Sequence, residues 1–543
     1  MEWNIADLIE ATADAVPDRE ALLAGPARRT YGELERRANR LAHHLAGEGV
    51  SAGEHVGIHA FNCAEFVEGM LACYKLRAVP ININYRYVEA ELGYLFDNAD
   101  LVALIHQRQF APRIAAVRGG LPKLRHFVAI EDGSGADVAA LGAAAYEEAL
   151  AGASDARDFG PRSPDDRYVL YTGGTTGMPK GVVWRQQDVI FTLGGGIDHV
   201  TAIPLESPEA MTAKTRNAPM TSFALAPLMH GASQWATLGG MFVGNKVVLY
   251  SERSFDPAKV WEIVERERVN VMMVTGDAMA RPLADELPRA KSARDLTSLV
   301  ALSSTAAIFS PSVKAQFKAS FPNLVLTDSV GSSEGGFNGT AMYDANAPRR
   351  EGAGVNVRPG RDTIVLDDAM RPVQPGSGVI GRIARGGNVP LGYYKDPKKS
   401  AEVFVEVDGQ RYSIPGDFAK VEADGTLTLL GRGSVCINSG GEKIYPEEVE
   451  SALKSHPDVF DAMVVGVPDE RWGEKVTAVV QPREGRRPTL DDLAAHCRPL
   501  VAGYKVPKAL RLVPHIQRQP SGKPDYPWAK RIASANPNGD GVN

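Results

Sequence analysis

Apolar residues in the first half of the chain follow two alternating patterns. Thr30-Tyr-Gly-Glu33 has the form of a helix-capping box, and after it apolar residues recur at helical spacing as far as Leu45. Short apolar segments at Val56–Ala60 and Leu101–Ile105 predict buried strands, and Val88–Phe96 between them predicts a helix. Because strands that alternate with helices favour parallel sheets, this part of the chain predicts stacked α/β layers.

The alternation continues and then gives way to a β-rich pattern. Lys246–Tyr250 and Asn270–Val274 predict strands on either side of a helix over Val260–Arg268. After about Gly352, turn signals separate segments that predict the strands of a small β-rich subdomain: Thr363–Leu366, Val379–Ala384 and Thr426–Leu430.

A compact α+β pattern follows Gly431-Arg-Gly-Ser434, a segment typical of a linker between domains. The predicted order is helix, strand, strand, helix: Pro446–His456, Asp461–Val465, Lys475–Val480 and Leu490–Val501. Because 543 residues are too many for one core, we expect an α/β protein of two domains. The predicted domains are a large one of stacked α/β layers with the β-rich subdomain, residues 1–433, and a small α+β one, residues 434–543.

Composition excludes several classes of function. The chain is 44% hydrophobic and 23% charged, which is ordinary for a globular protein, and its net charge of −6 does not indicate nucleic-acid binding. No apolar run approaches the length of a membrane span, and Met1–Leu8 lacks the features of a secretory signal. The cysteines Cys63, Cys73, Cys436 and Cys497 show no metal-ligand spacing, so we expect reduced thiols in a cytoplasmic protein.

The segment Tyr171-Thr-Gly-Gly-Thr-Thr-Gly-Met-Pro-Lys-Gly181 carries the strongest chemical signal. It follows the apolar strand Tyr168–Tyr171, and its glycines let backbone N–H groups surround an anion because no Cβ blocks the approach. Threonine hydroxyls and Lys180 add donors and a positive charge, which suits a polyphosphate. The segment is not a P-loop, since Gly181 stands where a magnesium-binding Ser or Thr would be. Taken alone, it could also be a turn without a ligand.

The segment resembles the signature of the adenylate-forming superfamily, which contains acyl-CoA synthetases, nonribosomal adenylation domains and luciferases. Similar segments follow in the family's order along nearly the whole chain. The resemblance implies an AMP- and acyl-binding N-terminal domain, a mobile C-terminal domain, and a Mg²⁺ ligand at Thr175. It implies that ATP is held by Thr172, Gly173, Gly174, Thr175, Thr176, Gly177 and Lys180.

Ala226-Pro-Leu-Met-His-Gly231 is similar to the family segment between the nucleotide and acyl pockets. The resemblance implies that His230 lies against the reacting carboxylate, and that Trp235, Gly239 and Thr305 line the acyl pocket. Without the resemblance, His230 could be a buried histidine with ordinary hydrogen bonds, and the helix that follows it could simply pack against its sheet.

Asp328-Ser-Val-Gly-Ser-Ser-Glu334 resembles the family segment written aromatic-Gly-x-Thr-Glu. That resemblance implies that Ser333 contacts the α-phosphate or the substrate carboxylate, and that Asp328 and Ser329 lie at the nucleotide. It also implies that Glu334 binds Mg²⁺, a metal that commonly takes one or two protein carboxylates besides phosphate oxygens.

Tyr412-Ser-Ile-Pro-Gly-Asp417 resembles the family's Thr-Gly-Asp segment. The resemblance implies that Asp417 accepts hydrogen bonds from both ribose hydroxyls, with Arg432 beside it. Val330, Arg382 and Pro415 depart from the residues usual in the family.

The end of the chain resembles the mobile domain of acyl-CoA synthetases. Ser434 lies at the family's hinge, where a small residue absorbs backbone rotation without strain. Ser439–Glu450 is similar to the loop and helix that approach the pantetheine arm of coenzyme A, which implies contacts at Gly440, Gly441 and Lys443.

Arg518-Gln-Pro-Ser-Gly-Lys523 matches the family's C-terminal lysine motif. By that match, Lys523 neutralises charge on the α-phosphate and carboxylate oxygens during adenylation. A lone lysine would instead be a surface residue, which is the usual place for that side chain.

The resemblance implies an AMP-forming acyl-CoA synthetase. A carboxylic acid and Mg·ATP give an acyl-adenylate and pyrophosphate, and the thiol of coenzyme A then displaces AMP. The chain looks most like bacterial fatty-acid–CoA ligases of lipid metabolism, and Gly431–Lys443 resembles the subgroup that acts on steroid side-chain carboxylates. Phe223–Ala226 lacks the aspartate that pairs with an α-ammonium, which argues against amino acids as substrates.

Other functions stay open from the sequence. The chain could activate aryl acids or load a carrier protein, or it could be a nucleotide-binding relative that has lost catalysis. A phosphotransferase is disfavoured because the Gly-Lys-Ser/Thr sequence is absent from the motif. We expect a small-molecule acid, ATP and coenzyme A as partners, neither nucleic acid nor an integral membrane segment, and an oligomeric state for which a homodimer is one option.

We predict that Lys523→Ala removes adenylation but spares thioester formation from a supplied acyl-adenylate. The adenylation rate should fall on the order of 10²–10³-fold, as when other groups that stabilise transition-state charge are removed. Pyrophosphate–ATP exchange measures the first step and CoA-dependent release of AMP the second. Equal loss of both steps would contradict the prediction.

Overall fold

The computed structural model describes residues 2–174, 177–192, 205–216, 219–307, 309–344, 356–439, 442–469, 472–519 and 522–535. The chain folds into two compact units. The first consists of Met1–Met273, Ser333–Gly336 and Gly387–Glu406. The second consists of Val274–Ser332, Phe337–Gly386 and Val407–Asn543.

The α-helices are α1 Ile5–Ala15, α2 Tyr31–Gly47, α3 Ala64–Lys75, α4 Glu89–Asn98, α5 Ala111–Arg118, α6 Tyr146–Ala151, α7 Gln186–Thr192, α8 Pro208–Ala213, α9 Gly231–Phe242, α10 Pro257–Glu267, α11 Gly276–Ala293, α12 Pro311–Ser320, α13 Pro397–Val403, α14 Pro446–Lys454, α15 Leu490–Cys497 and α16 Tyr526–Ser534. In the part of the chain that the structure covers, none of these helices combines the length and the hydropathy that crossing a bilayer requires.

The strands are β1 Glu20–Ala24, β2 Ala27–Thr30, β3 His55–His59, β4 Val79–Asn82, β5 Leu101–Gln107, β6 His126–Ile130, β7 Ala144–Ala145, β8 Arg167–Gly174, β9 Gly177–Arg185, β10 Thr221–Ala224, β11 Lys246–Leu249, β12 Val271–Val274, β13 Ala301–Thr305, β14 Val325–Ser332, β15 Gly336–Met342, β16 Asn356–Pro359, β17 Thr363–Leu366, β18 Ile380–Arg385, β19 Gly392–Tyr393, β20 Phe404–Val407, β21 Gln410–Ser413, β22 Asp417–Val421, β23 Leu427–Arg432, β24 Ile437–Ser439, β25 Glu442–Ile444, β26 Val459–Asp469, β27 Gly473–Pro482 and β28 Ala509–Leu512.

The first unit contains the predicted parallel α/β layers. One sheet has the order β4-β3-β5-β6-β7 and its neighbouring strands are parallel. In a second sheet β1, β11, β10 and β12 are parallel, with β2 antiparallel at the edge. The expected capping box is present, since Thr30 Oγ1 accepts from the Glu33 N–H (3.2 Å) and Glu33 returns a bond to the Thr30 N–H (2.8 Å). A separate antiparallel sheet, β19-β9-β8, carries the glycine- and threonine-rich segment.

The second unit contains the predicted β-rich and α+β parts. Strands β16, β23, β22, β18 and β17 pair antiparallel, as the turn-rich sequence predicts. In the C-terminal part, β26 pairs with β27 over nearly its whole length, and its side chains alternate between two cores. Ala462 and Val464 pack into one core, and Met463 and Val465 into the other.

A buried cluster of charges supports the first unit. Lys75, at the end of α3, is only 2% exposed, and its Nζ lies 2.6 Å from Glu10 Oε1 and 2.8 Å from Glu35 Oε1. Arg162 also contacts Glu10, at 2.7 Å. Burial alone would raise the pKa of Glu10, but Lys75 and Arg162 outweigh it and hold that pKa below its ordinary value.

We predict that Lys75→Met lowers the free energy of unfolding by about 3–5 kcal/mol, because it leaves two buried carboxylates without their shared cation. Lys259→Met is the matched control, since it breaks a half-exposed pair with Glu262 and should cost about 1 kcal/mol or less. Chemical denaturation of both variants measures the difference. Similar losses in the two variants would contradict the assignment of Lys75 as a structural cation.

Candidate active site

The glycine- and threonine-rich segment is a β-hairpin, whereas the sequence suggested a loop that follows a strand. Strand β8 runs to Gly174 and β9 begins at Gly177, with Thr172 opposite Lys180. The second half of the motif is extended because β9 pairs with β8 on one side and with β19 on the other. Thr175 and Thr176, two of the predicted phosphate ligands, lie outside the described residues, and Gly173, Gly174 and Gly177 lie on the strands beside them.

Lys180 is oriented by the start of α13. Its Nζ lies 2.6 Å from Asp396 Oδ2 and 5.6 Å from the centre of the Tyr393 ring. The bond from Lys180 and a backbone bond from Lys399 hold the pKa of Asp396 below its ordinary value. Both side chains of the pair are about one-third exposed, at 37% and 33%, so an anion can reach them. A phosphate bound here would compete with Asp396 for Lys180.

The predicted magnesium ligand Glu334 lies in the same unit. The Tyr393 hydroxyl donates to Glu334 Oε1 at 3.0 Å, and Trp184 Nε1 donates to the carbonyl oxygen of Ser333 at 3.1 Å. Gly336 follows with a φ of 64°, and a Cβ there would lie 1.8 Å from Thr192 Cγ2. The absence of a side chain at this position therefore lets the segment lie close to α7. A carboxylate oxygen is a ligand that suits Mg²⁺, so Glu334 stays the predicted magnesium ligand.

His230 precedes α9 at its N-cap and is joined to the hairpin through Asn82. The Asn82 amide Nδ2 donates to the carbonyl oxygens of Met229 (2.6 Å) and Tyr171 (2.8 Å), and Asn82 Oδ1 accepts from the Tyr171 N–H (2.8 Å). A second buried amide, that of Asn62, accepts from the Leu228 N–H at 2.7 Å. The segment that precedes His230 and the end of β8, where the predicted ATP-binding segment begins, are therefore held by the same side chain.

The predicted acyl-pocket residues of α9 share one face of the helix. Ala232, Trp235, Ala236 and Gly239 are half-buried, whereas most of the helix between them is buried. Their spacing corresponds to one side of an α-helix. The Trp235 indole Nε1 donates to the Tyr168 hydroxyl at 3.0 Å, which fixes the plane of the ring. This face has small side chains and one oriented aromatic ring.

In the second unit, three predicted residues lie on the neighbouring parallel strands β13 and β14, beside the carboxyl end of β13. Thr305 of β13 is opposite Ser329 of β14, and Ser303 Oγ lies 3.4 Å from Ser329 Oγ. Asp328 is buried and pairs with Lys314 of α12. Burial raises the pKa of Asp328, and Lys314 opposes that rise. A role for Asp328 at the nucleotide stays a prediction, since its carboxylate has an internal cationic partner.

The two predicted ribose residues are also neighbours. Asp417 begins β22 and is directly opposite Arg432, at the end of β23, in the antiparallel register. The Gly433 N–H donates to the carbonyl oxygen of Gly416 at 3.1 Å and closes this end of the pair. Two residues that are distant in the sequence therefore lie side by side at one strand end.

The remaining predicted residues lie in the C-terminal part of the second unit. Ser434 is in a 3-10 turn, Gly433–Val435, and Lys443 is on β25 opposite Asn438. Gly440 and Gly441 lie outside the described residues. Lys523 is exposed at the end of a tight turn in which the Gln519 N–H donates to its carbonyl oxygen at 2.9 Å.

Comparison with known families agrees with the geometry. Residues 9–394 match the family described as AMP-binding enzyme, and residues 448–523 match the AMP-binding enzyme C-terminal domain. The chain belongs to the AMP-binding enzymes. These matches confirm the resemblance to adenylate-forming enzymes that the sequence motifs indicated.

Two curated proteins are similar to this AMP-binding enzyme over nearly its whole length. A medium/long-chain-fatty-acid–CoA/3-oxocholest-4-en-26-oate–CoA ligase of Mycolicibacterium smegmatis is 52% identical over 541 residues, which cover 99% of this chain and 98% of that protein. A 3-oxocholest-4-en-26-oate–CoA ligase of Rhodococcus rhodochrous is 50% identical over 552 residues, which cover 100% and 99%.

A solved structure has the same fold. The crystal structure of the anthranilate CoA ligase AuaEII in complex with anthranoyl-AMP superposes with a TM-score of 0.82 at 22% identity, and the match covers 98% of this chain and 97% of that one. The predicted fold class is confirmed by this likeness.

Sequence reasoning missed the residues that orient the predicted ligands. Tyr393 and Asp396 hold Glu334 and Lys180, and Asn82 joins the hairpin to the histidine segment. Asn82 could have been found as a polar residue that ends the apolar run Val79–Asn82. Nothing in the local sequence of Tyr393 connects it with Glu334, since only folding brings them together.

We predict that Tyr393→Phe lowers kcat/KM for MgATP about tenfold to a hundredfold. A hydrogen bond to a charged group contributes about 1.5–3 kcal/mol, and each 1.36 kcal/mol corresponds to a factor of about ten in rate. AMP formation at varied MgATP measures the effect.

The neighbouring Tyr394→Phe is the matched control for this prediction. It removes a similar hydroxyl-to-carboxylate bond, from Tyr394 to Asp100 (2.8 Å), without touching Glu334 or Lys180. Equal effects of the two substitutions would show that Tyr393 does not act through the site.

Proposed function

We propose that the protein is an ATP-dependent acyl-CoA ligase. It converts a medium- or long-chain fatty acid, or a steroid side-chain carboxylate, to its coenzyme A thioester through an acyl-adenylate. The observation that carries the proposal is 50–52% identity over 98–100% of both chains with ligases named for these substrates.

In the proposed first step, a carboxylate oxygen of the acid attacks the α-phosphorus of ATP, and pyrophosphate leaves. Lys180 binds the β- and γ-phosphates together with three threonines, Thr172, Thr175 and Thr176, and Lys523 neutralises charge at the reacting oxygens. When Mg²⁺ is bound, it neutralises phosphate charge, and Glu334 and Thr175 would hold it. The 2.6 Å pair of Lys180 with Asp396 supports this assignment, because it keeps a cation oriented before the nucleotide arrives.

In the proposed second step, the thiol sulfur of coenzyme A attacks the acyl carbon and releases its proton to solvent, and AMP leaves with the electron pair of the broken C–O bond. Gly440, Gly441 and Lys443 would approach the pantetheine arm after residues 434–543 rotate about Ser434. The 3-10 turn at Gly433–Val435 supports this location for the hinge, since hinges are commonly short segments at element ends.

The acyl group is proposed from two observations besides the relatives. Phe223-Ala-Leu-Ala226 has no charged side chain to pair with an α-ammonium. The half-buried face of α9 with Trp235 and Gly239 would suit a long or wide apolar chain. Both favour fatty or steroid acids over amino acids.

The proposal also covers the cellular location and the oligomeric state of the enzyme. None of the four cysteines, all of which lie in the described part of the chain, forms a disulfide, which supports a reducing, cytoplasmic environment. A homodimer is the proposed assembly to test first, because C2 dimers are the commonest oligomers, and analytical ultracentrifugation measures it.

We predict AMP and pyrophosphate formation with medium- and long-chain fatty acids and with steroid side-chain carboxylates when ATP, Mg²⁺ and coenzyme A are supplied. A panel that also contains benzoates, amino acids and short-chain acids, scored by CoA-dependent AMP release, tests the substrate class. Preference for benzoates would favour an aryl-acid ligase, and AMP release that requires a carrier protein would favour a loading enzyme. No AMP with any acid would reject the proposed function.

A further inference from the structure

The turn that carries Lys523 is closed by its own backbone and by one side chain. Arg518 and Pro524 form an antiparallel bridge on its two sides, and the Gly522 N–H donates to the carbonyl oxygen of Gln519 at 2.8 Å. Arg518 Nη1 then donates to the carbonyl oxygen of Gly522 at 3.1 Å. The residue that opens the motif therefore reaches across to the peptide immediately before the lysine.

Arg518 is itself held from outside the turn. Its Nε and Nη2 donate to the two carboxylate oxygens of Asp461, each at 2.7 Å, and both side chains are only 11% exposed. This bidentate geometry fixes the plane of the guanidinium, which a single contact would not do. The orientation of the turn is therefore set by a residue of β26, 57 positions away in the chain.

Asp461 is anchored in the core of the C-terminal part. Lys454 of α14 approaches the same carboxylate, with Nζ 3.4 Å from Asp461 Oδ1, and Glu450 of that helix accepts from the Val464 N–H at 3.0 Å. Burial would raise the pKa of Asp461, but Lys454 and Arg518 outweigh it and keep the pKa below its ordinary value. The anchor is therefore a charged carboxylate between two cations on a paired strand.

The turn also contacts the start of α11. Gly522 has a φ of 78°, and a Cβ at this position would lie 3.0 Å from Thr275 Cγ2 and 3.2 Å from Thr275 Cβ. The backbone before Lys523 is thus held on one side by Arg518 and on the other by the start of a helix. The lysine side chain that follows is exposed.

We propose that the Arg518–Asp461 pair is a positioning device for the first half-reaction, which sets where the Lys523 ammonium can reach. This inference rests on the proposed function, in which Lys523 serves adenylation and leaves before thioester formation. A displacement of about 1 Å can cost on the order of 10²-fold in rate, and a turn that loses its bidentate anchor can shift by that much. In this proposal the Arg518–Asp461 pair acts only through Lys523 and does not itself contact the substrate.

The test uses Arg518→Lys, which keeps the charge but cannot make the bidentate contact. Adenylation, measured by pyrophosphate–ATP exchange, should fall about tenfold to a hundredfold. Thioester formation from a supplied acyl-adenylate should stay within about threefold of wild type, which also shows that the variant folds. Asp461→Asn is the second variant and should give the same split. Arg483→Lys is the matched control, because the pair of Arg483 with Asp285 (3.4 Å) is partly exposed and includes neither Asp461 nor a residue of the turn.

A double variant separates positioning from general structural damage. If Arg518 acts only through Lys523, then Arg518→Lys adds no further loss of adenylation in a Lys523→Ala background. The inference is overturned if Arg518→Lys adenylates like wild type, if both half-reactions fall equally, or if the double variant is slower than Lys523→Ala alone. A wild-type enzyme that never adenylates any acid would reject the proposed function and this inference with it.

Discussion

The amide of Asn82 is the interaction on which the site of the first unit depends. One buried side chain makes three hydrogen bonds, and through them the end of β8 and the segment before His230 share a single anchor. A buried amide that lost one of these partners would leave polar groups without hydrogen bonds, which costs about 1–3 kcal/mol for each group. The hairpin and the histidine segment therefore cannot move apart without a large loss of stability, and their relative position is maintained without a ligand.

Each of the two units contains charged side chains that pair inside the protein. Lys180 has Asp396, Lys314 has Asp328, and Arg518 has Asp461. The three pairs differ in exposure, and this difference decides what they can do. The Lys180 pair is about one-third exposed and can exchange a carboxylate for a phosphate, whereas the other two are buried and too costly to break. The buried pairs hold backbone in place, and the exposed pair is the one suited to receive an anion.

Much of the fold could be predicted from the sequence. The α2 helix with its capping box, the parallel strands β3 and β5, and the antiparallel strands after β16 were all indicated by local patterns. The hairpin was not, because the Gly/Thr composition of the segment favours a loop and only pairing of β9 with β8 and β19 makes it extended. For the site, the motifs indicated Lys180 and Glu334, but they indicated neither Asp396 and Tyr393, which contact these two residues, nor Asn82, which joins the end of β8 to the segment before His230. A motif predicts which residue carries the chemistry, whereas the residue that orients it can be far away in the sequence, as Asp396 is from Lys180.

The sequence alone determined the α/β class and the membership of the adenylate-forming enzymes, because periodicity and motif order are properties of the chain itself. Tertiary structure decided which side chains meet. The contact of Tyr393 with Glu334 spans 59 positions and that of Lys180 with Asp396 spans 216. Such contacts depend on strand register and on the close approach permitted at Gly336, and no local window of sequence contains either. The orientation of the charged groups is therefore a property of the folded chain.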